Sequence, residues 1–127
     1  MPTEILVALT NKPGALAKVA EALGNAGVNF HGVGYASGAR GTLRVVADDT
    51  ERALAALKKA KIKVSKTREA LALSVADRPG ELGSIARKLA KGRVNIEAFY
   101  VVGTDSGGLS CVLASDKVEK AKTILRG

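Results

Sequence analysis

Aromatic side chains, cysteine and histidine are scarce in this sequence of 127 residues. Aromatic residues make up 3% and tryptophan is absent, so a hydrophobic core has to be built from aliphatic side chains and alanine. The single cysteine, Cys111, excludes an intramolecular disulfide, and its place in the apolar run 109–113 predicts a buried thiol. The single histidine, His31, excludes a metal site with several histidine ligands. We therefore expect no cofactor, no metal and no enzymatic activity.

Long apolar segments and a signal peptide are also missing. No run of residues approaches the ~18–20 apolar residues that are needed to cross a bilayer. We therefore expect a cytoplasmic protein without a membrane partner. The net charge is +8, but the basic residues are spread along the chain, with their densest group between residues 58 and 68. Because such a spread is typical of a solvated surface, nucleic-acid binding is the least favoured interpretation.

A six-residue motif occurs twice, 66 residues apart. Residues 11–16 (NKPGAL) follow the apolar run 5–9, and residues 77–82 (DRPGEL) follow the apolar run 71–75. An amphipathic helix pattern comes after each copy. Proline is favoured at the first position of a helix, where its missing N–H has no intrahelical partner, so the pattern predicts a proline just inside each helix. The rest of the chain reads as two modules that present this turn.

The residues after each motif predict the same order of elements. In the first copy the predicted strands are residues 3–10, 28–36, 42–47 and 62–67, with helices from the motif to about residue 26 and over 50–61. This order is the ferredoxin-like βαββαβ arrangement, an antiparallel sheet with both helices on one face. The second copy repeats it without a fourth strand. The predicted fold class is therefore α+β, with modules at residues 1–68 and 69–127.

The two copies share a longer pattern than the turn alone. Each has a strand, the segment [Asn/Asp]-x-Pro-Gly-x-Leu, a helix, and then Val-Asn-[Phe/Ile] at the start of a strand, in the segments 28–30 and 94–96. From residue 3 to residue 125 the chain resembles the ACT domain family, small regulatory modules that bind amino acids in many metabolic enzymes. The resemblance implies a regulatory role for both modules and an amino acid as the ligand.

The turns offer the groups that would hold an amino acid. Free N–H groups around Gly14, Ala15 and Leu16 can bind a carboxylate at the start of a helix. The Asn11 amide can accept a hydrogen bond from an ammonium group, and Asp77 offers a full charge for the same task. The resemblance adds an asparagine at the start of strand two and a flanking leucine in each module. The predicted ligand-binding residues are Asn11, Pro13, Gly14, Ala15, Leu16, Asn29, Asp77, Gly80, Glu81, Leu82 and Asn95.

Each of these residues also has a purely structural interpretation. Asn11 and Asp77 are common helix caps, and the leucines after the glycines are common core residues. Asn29 and Asn95 are also typical of residues that tie down a helix-to-strand turn. Glu81 would repel a carboxylate at the second turn, so we favour the first turn as the binding site.

The expected function is that of a stand-alone tandem ACT-like sensor. It would bind an amino acid where modules meet and regulate a partner in trans, with a metabolic enzyme as one possible partner. The missing fourth strand would leave an unpaired sheet edge, which favours a homodimer or a higher homo-oligomer. Two alternatives stay open, a docking module that binds no ligand and a basic nucleic-acid-binding protein.

Overall fold

The computed structural model describes residues 1–126 in two compact units. One unit spans Thr3–Arg68, and the other joins Met1–Pro2 to residues 69–126. The elements of the first unit are β1 (Thr3–Thr10), α1 (Ala15–Asn25), β2 (Phe30–Ser37), β3 (Arg40–Ala47), α2 (Thr50–Lys59) and β4 (Val64–Glu69). Those of the second unit are β5 (Leu71–Val75), α3 (Glu81–Lys91), β6 (Ile96–Asp105), β7 (Gly108–Ser115) and α4 (Val118–Arg126).

The first unit is a four-stranded antiparallel sheet covered by two helices. Its strand order is β2-β3-β1-β4, which is the order that two crossover helices on one face produce. Alternate residues of β1 and β3 face the helices and form an aliphatic core with them. The buried residues of this core are Ile5, Val7, Val19, Leu23, Val28, Leu43, Val45, Ala53 and Leu57. Leu16, at the start of the same helical stripe, is instead 55% exposed.

The second unit repeats this plan with three strands among the described residues. Its sheet has the order β5-β7-β6, and both helices pack on one core. That core is again aliphatic, with Leu71, Leu89, Val94, Leu113 and Ala121 as its buried residues. The Ala70 N–H donates to the Pro2 carbonyl at 2.9 Å, so the start of the chain lies beside the start of β5. The prediction of two ferredoxin-like α+β modules, the second without its last strand, is confirmed.

Three helices end in the same way. The residue that follows each C-cap is in the left-handed region, with φ of +73° at Gly27, +58° at Lys61 and +59° at Arg93. In α2, for example, the Lys61 N–H donates to the Lys58 carbonyl and the Ile62 N–H to the Leu57 carbonyl. This pair of hydrogen bonds is a Schellman motif. The motif favours glycine at the residue after the C-cap, because a side chain crowds the backbone at positive φ. Lys61 and Arg93 therefore occupy positions at which glycine would adopt the required positive φ with less steric strain.

Cys111 lies on β7 with 2% of its surface exposed. Burial raises the pKa of its thiol, and the charge of Asp105 raises it further. The buried thiol expected from the sequence is confirmed. Within residues 1–126 no three His, Cys, Asp or Glu side chains converge where they could hold a metal ion.

Candidate ligand-binding site

The first Pro-Gly motif forms a type II β-turn. The Ala15 N–H donates to the Lys12 carbonyl at 3.3 Å, and Gly14 has φ 87° and ψ −11°. Pro13 therefore occupies position i+1 of the turn, where its fixed φ fits as well as it would in a helix. The prediction that this proline lies inside the helix is wrong, because Gly14 is the N-cap and α1 begins at Ala15.

Glycine is required at position 14 by backbone conformation and not by lack of space. A Cβ atom built on Gly14 would meet nothing within 4 Å, whereas its φ of +87° disfavours other residues. The second motif has the same geometry, with φ of +89° at Gly80 and a bond from the Glu81 N–H to the Arg78 carbonyl. Pro79 thus precedes its helix in the same way.

The first turn leaves three backbone donors without acceptors. The Ala15 N–H closes the β-turn, and the Lys18 N–H donates to the Gly14 carbonyl at 3.0 Å. Within the described residues, the N–H groups of Gly14, Leu16 and Ala17 donate to no acceptor. Of the three donors predicted, Gly14 and Leu16 are therefore available and Ala15 is not. The remaining N–H groups can bind a carboxylate, since the start of a helix also carries a partial positive charge.

Asn11 ties this turn to the β2–β3 hairpin. Its Nδ2 donates to the Gly38 carbonyl at 2.8 Å, and its backbone N–H donates to the Ala39 carbonyl at 2.9 Å. No side chain caps α1, so the helix-cap interpretation of Asn11 is wrong. Since Nδ2 donates to the hairpin, the amide group of Asn11 that stays available is its oxygen, Oδ1. That oxygen accepts no hydrogen bond within the described residues and can accept one from an ammonium group.

The second turn is electrostatically different. Asp77 makes no side-chain hydrogen bond among residues 1–126 and does not cap α3. The Glu81 carboxylate lies 2.5 Å from the Arg78 Nε, so this turn carries its own ion pair. The first turn has Lys12 and Ala15 at the same two positions and therefore a cation without an anion. This contrast favours the first turn for an incoming carboxylate.

The adjacent β6–β7 turn of the second unit is held by Asp105. Its carboxylate accepts from the Gly107 N–H at 2.8 Å and from the hydroxyls of Ser74 and Ser110 at 3.2 Å and 3.1 Å. The Gly107 N–H is the main cause of the lowered pKa of Asp105, and the two hydroxyls lower it further against partial desolvation. Asp77 is therefore not needed to hold the hairpin, and it does not repeat the contact that Asn11 makes.

The two strand-two asparagines lie at the other end of their sheets. The Asn29 N–H donates to Asp48 Oδ1 at 3.2 Å, and the Asp48 N–H donates to the Asn29 carbonyl at 3.0 Å. Asn95 and Asp116 make the same pair of bonds at 2.9 Å and 3.3 Å. The backbones therefore tie down the helix-to-strand turn, while both side chains are exposed.

Within a single module, the Pro-Gly turn and the strand-two asparagine lie at opposite ends of the sheet. Thr10 and Ser37 both pair with Arg40 at the turn end of the sheet, whereas Phe30 pairs with Ala47 at the other end. The eight residues of β2 span about 25 Å, so Asn11 and Asn29 are too far apart to touch one small molecule.

A cavity of about 380 Å³ lies beside the first turn, between the start of α1 and strands β2 and β3. Asn11 and Leu16 line it on one side, and Gly34, Gly41 and Leu43 line it on the other. Leu82, the counterpart of Leu16, is 44% exposed, so neither leucine is a core residue. The structural interpretation of these leucines is therefore wrong, and both are available for contacts.

Sequence reasoning missed the glycines that keep this cavity open. Leu9 pairs with Gly41, and its repeat counterpart Val75 pairs with Leu109. By the same register, Gly34 pairs with Leu43 where Val101 pairs with Cys111. Glycine thus stands in the first unit where the second has leucine and valine. Aligning the strands of the two copies reveals these glycines, whereas the Pro-Gly motif alone gives no sign of them.

Two small α+β modules, each with a Pro-Gly turn before its first helix, define this protein as a tandem of ferredoxin-like modules. A family model for the ACT domain pair matches residues 3–126. The chain therefore belongs to the ACT domain pair family, and the resemblance seen in its sequence is confirmed. No curated protein sequence matches the chain significantly.

Solved structures show the same fold. Protein BT0572 of Bacteroides thetaiotaomicron is 24% identical, with a TM-score of 0.87 over 98% of this chain and 86% of its own. The ligand-free regulatory subunit of aspartate kinase from Thermus thermophilus is 22% identical, with a TM-score of 0.71 over 98% and 87% of the two chains. The corresponding subunit from Thermus flavus is 19% identical, with a TM-score of 0.63 over 98% and 89%. Among residues 1–126, no helix combines the length and apolar character that spanning a bilayer requires.

Proposed function

We propose that this protein is a regulatory sensor that binds an amino acid at its first Pro-Gly turn and controls a metabolic enzyme. The observation that carries the proposal is the placement of Asn11. Its Nδ2 is held by the Gly38 carbonyl, which leaves Oδ1 available in the same six-residue motif as the free N–H groups of Gly14 and Leu16. An acceptor and a set of donors in one place match the ammonium and carboxylate groups of an amino acid.

The cavity next to the turn would take the side chain of the ligand. Its apolar walls include Leu9, Leu16 and Leu43, and its volume of about 380 Å³ is within the range of small-molecule sites. An aliphatic side chain would fit these walls, and Lys12, which also lines the cavity, disfavours a basic one. The similarity in fold to two regulatory subunits of aspartate kinase supports a regulatory role with an enzyme as partner.

A complete site would need a second module. Asn29 lies about 25 Å from the turn of its own module, so a strand-two asparagine that contacts the ligand would come from elsewhere. A second copy of the chain can supply it, which links ligand binding to a homodimer or a higher oligomer. Analytical ultracentrifugation across micromolar concentrations would test this step, and a monomer at every concentration, with and without ligand, would contradict it.

Thermal unfolding in the presence of each common amino acid at millimolar concentration tests the proposal. A ligand that binds the folded state alone adds about 2.7 kcal/mol at a hundredfold excess over its Kd, which raises the midpoint by several degrees. We expect a rise for one chemical class of amino acids. Asn11→Ala should abolish the rise, while Asp77→Ala, the matched change in the second turn, should retain it.

The exposed leucines favour a second candidate function, docking without a ligand. Leu16 and Leu82 are 55% and 44% exposed. Leu82 is exposed even though the turn before it contains the ion pair between Arg78 and Glu81. Exposed apolar side chains are typical of contact surfaces. A flat thermal profile for all amino acids would favour this function. In that case, Leu16→Ser and Leu82→Ser should each weaken assembly or the capture of a candidate enzyme.

A further inference from the structure

A second cavity, of about 370 Å³, lies on the β4 side of the first turn. It is an open concavity between the end of β1, the start of α1 and the segment that leads from α2 into β4. All the titratable side chains that line it are lysines, namely Lys12, Lys18, Lys61 and Lys63. Three separate parts of the first unit thus contribute positive charge to one concave surface.

These lysines have no acidic partners among the described residues. None of the four takes part in a salt bridge or a side-chain hydrogen bond within residues 1–126. The four exposed lysines around one concave surface raise the local positive potential there. An anion with several charges would be attracted to this surface.

The second unit does not reproduce this arrangement. The counterpart of Lys12 is Arg78, which pairs with Glu81, and the counterpart of Lys18 is Ser84. The first turns of α2, α3 and α4 each carry a glutamate, whereas that of α1 carries none. The concentration of unpaired positive charge is therefore a property of this cavity and not of the fold.

We propose that the lysine cavity binds a small phosphorylated metabolite. Phosphate groups carry more than one negative charge and several acceptor oxygens, so cations from several directions can bind them at once. Lysine is a common phosphate ligand because its ammonium acts as a compact point charge. The volume suits a small molecule. This cavity adjoins the amino-acid site, because Lys12 and Ala15 line both cavities and Gly14 lines this one, whereas Lys61 and Lys63 line only the lysine cavity.

Calorimetric titration of the whole chain with pyrophosphate and with ATP, at about 0.15 M salt, would test the proposal. Lys61→Gly is the decisive variant, because glycine accepts the φ of +58° at this position while the charge is lost. We expect binding to weaken by about tenfold or more without loss of folding. Arg93→Gly is the matched control. It also replaces a cationic residue with positive φ, here +59°, by glycine, but Arg93 does not line the cavity.

A second pair of variants separates a specific site from general charge. Lys63→Gln should weaken binding as Lys61→Gly does, whereas Lys58→Gln, an exposed lysine of α2 that does not line the cavity, should leave it unchanged. Tighter binding of ATP than of pyrophosphate would identify the ligand as a nucleotide. Equal binding of the two would show that the phosphate groups alone are recognised. The proposal is wrong if neither compound binds, if Lys58→Gln or Arg93→Gly weakens binding equally, or if only an oligonucleotide or an acidic peptide binds.

Discussion

Glu4 on β1 and Arg44 on β3 form a buried ion pair. The Arg44 Nη1 donates to the Glu4 Oε1 at 2.7 Å, and the glutamate is fully buried. Glu4 pairs with Val46 in the sheet and Leu6 pairs with Arg44, so the two charges are diagonal neighbours on one face. Burial alone would lower the pKa of Arg44, but the Tyr35 hydroxyl and the Glu4 carboxylate raise it above its ordinary value.

Removal of one partner from this pair should be costly. Arg44→Met removes the Arg44 cation from the buried Glu4 carboxylate, and we expect a loss of about 3–5 kcal/mol in the free energy of unfolding. The double variant Glu4→Leu with Arg44→Met should recover most of this loss, because both charges are then replaced by apolar groups. Urea unfolding of the three proteins measures the difference. A single variant within 1 kcal/mol of the native chain, on the scale of an ordinary surface substitution, would show that the pair is dispensable.

A reciprocal exchange at the Schellman positions tests the cost of their left-handed residues. Arg93→Gly should stabilise the protein by about 0.5–1 kcal/mol, because glycine adopts a φ of +59° without crowding. Gly27→Arg should destabilise it by a similar amount, since a Cβ at that position meets only Arg52 Nη1 at 3.8 Å and the cost is conformational. Changes of the same sign in both variants would mean that side-chain contacts, and not φ, decide these positions.

The fold was largely predictable from the sequence, and the errors have physical causes. The predicted strand 3–10 is β1, because its apolar pattern and its burial coincide. The second helix was predicted to reach residue 61, but α2 ends at Lys59. Lysine is a good helix former, so the sequence has no stop signal where Lys61 turns the chain. The second strand was predicted from residue 28, but Val28 is buried in the Schellman motif and β2 begins at Phe30.

The site was predictable only where its parts are contiguous. The motif places the donors of Gly14 and Leu16, because these follow from local backbone geometry. Proline fits a type II turn and a helix start equally well, so the motif could not place Pro13. The contact of Asn11 with Gly38 joins residues 27 positions apart. Such a bond depends on the packing of the turn against the hairpin, which no local pattern contains.

The carboxylate of Asp105 should contribute to stability in a pH-dependent way. Its folded pKa is lowered, chiefly by the Gly107 N–H, so its contribution is present above the ordinary value of 3.8 and is lost as the pH falls through the folded pKa. The carboxyl carbon resonance should titrate with a midpoint below 3.8. Asp105→Asn should lower stability at pH 7, and its difference from the native chain should shrink in acid. A midpoint at or above 3.8 would contradict the role of these hydrogen bonds.

The cavity of about 380 Å³ between α1, β2 and β3 can be closed by the side chain that the second unit carries at the same register. Gly34→Val places a valine where β6 has Val101, and a Cβ at Gly34 would meet Leu43 Cδ1 at 3.4 Å, an ordinary contact. Valine is also a better strand residue than glycine, so the variant should be at least as stable as the native chain. We expect it to reduce the ligand-induced rise of the thermal midpoint by more than half, because the valine would occupy space that the ligand side chain needs.

Gly103→Val is the control for this change. Gly103 also lies on an edge strand, a Cβ there meets nothing within 4 Å, and it does not line the cavity. Gly103 lies at a register shift of β6, so the control tests whether valine on an edge strand is tolerated, and it should keep the full response to ligand. If Gly34→Val binds as well as the native chain, the ligand side chain does not enter this cavity, although the Asn11 turn could still hold its ammonium and carboxylate groups. If both variants lose the response, the effect comes from the edge strands, and the exposed strands β2 and β6 would then be the surfaces through which binding and assembly are coupled.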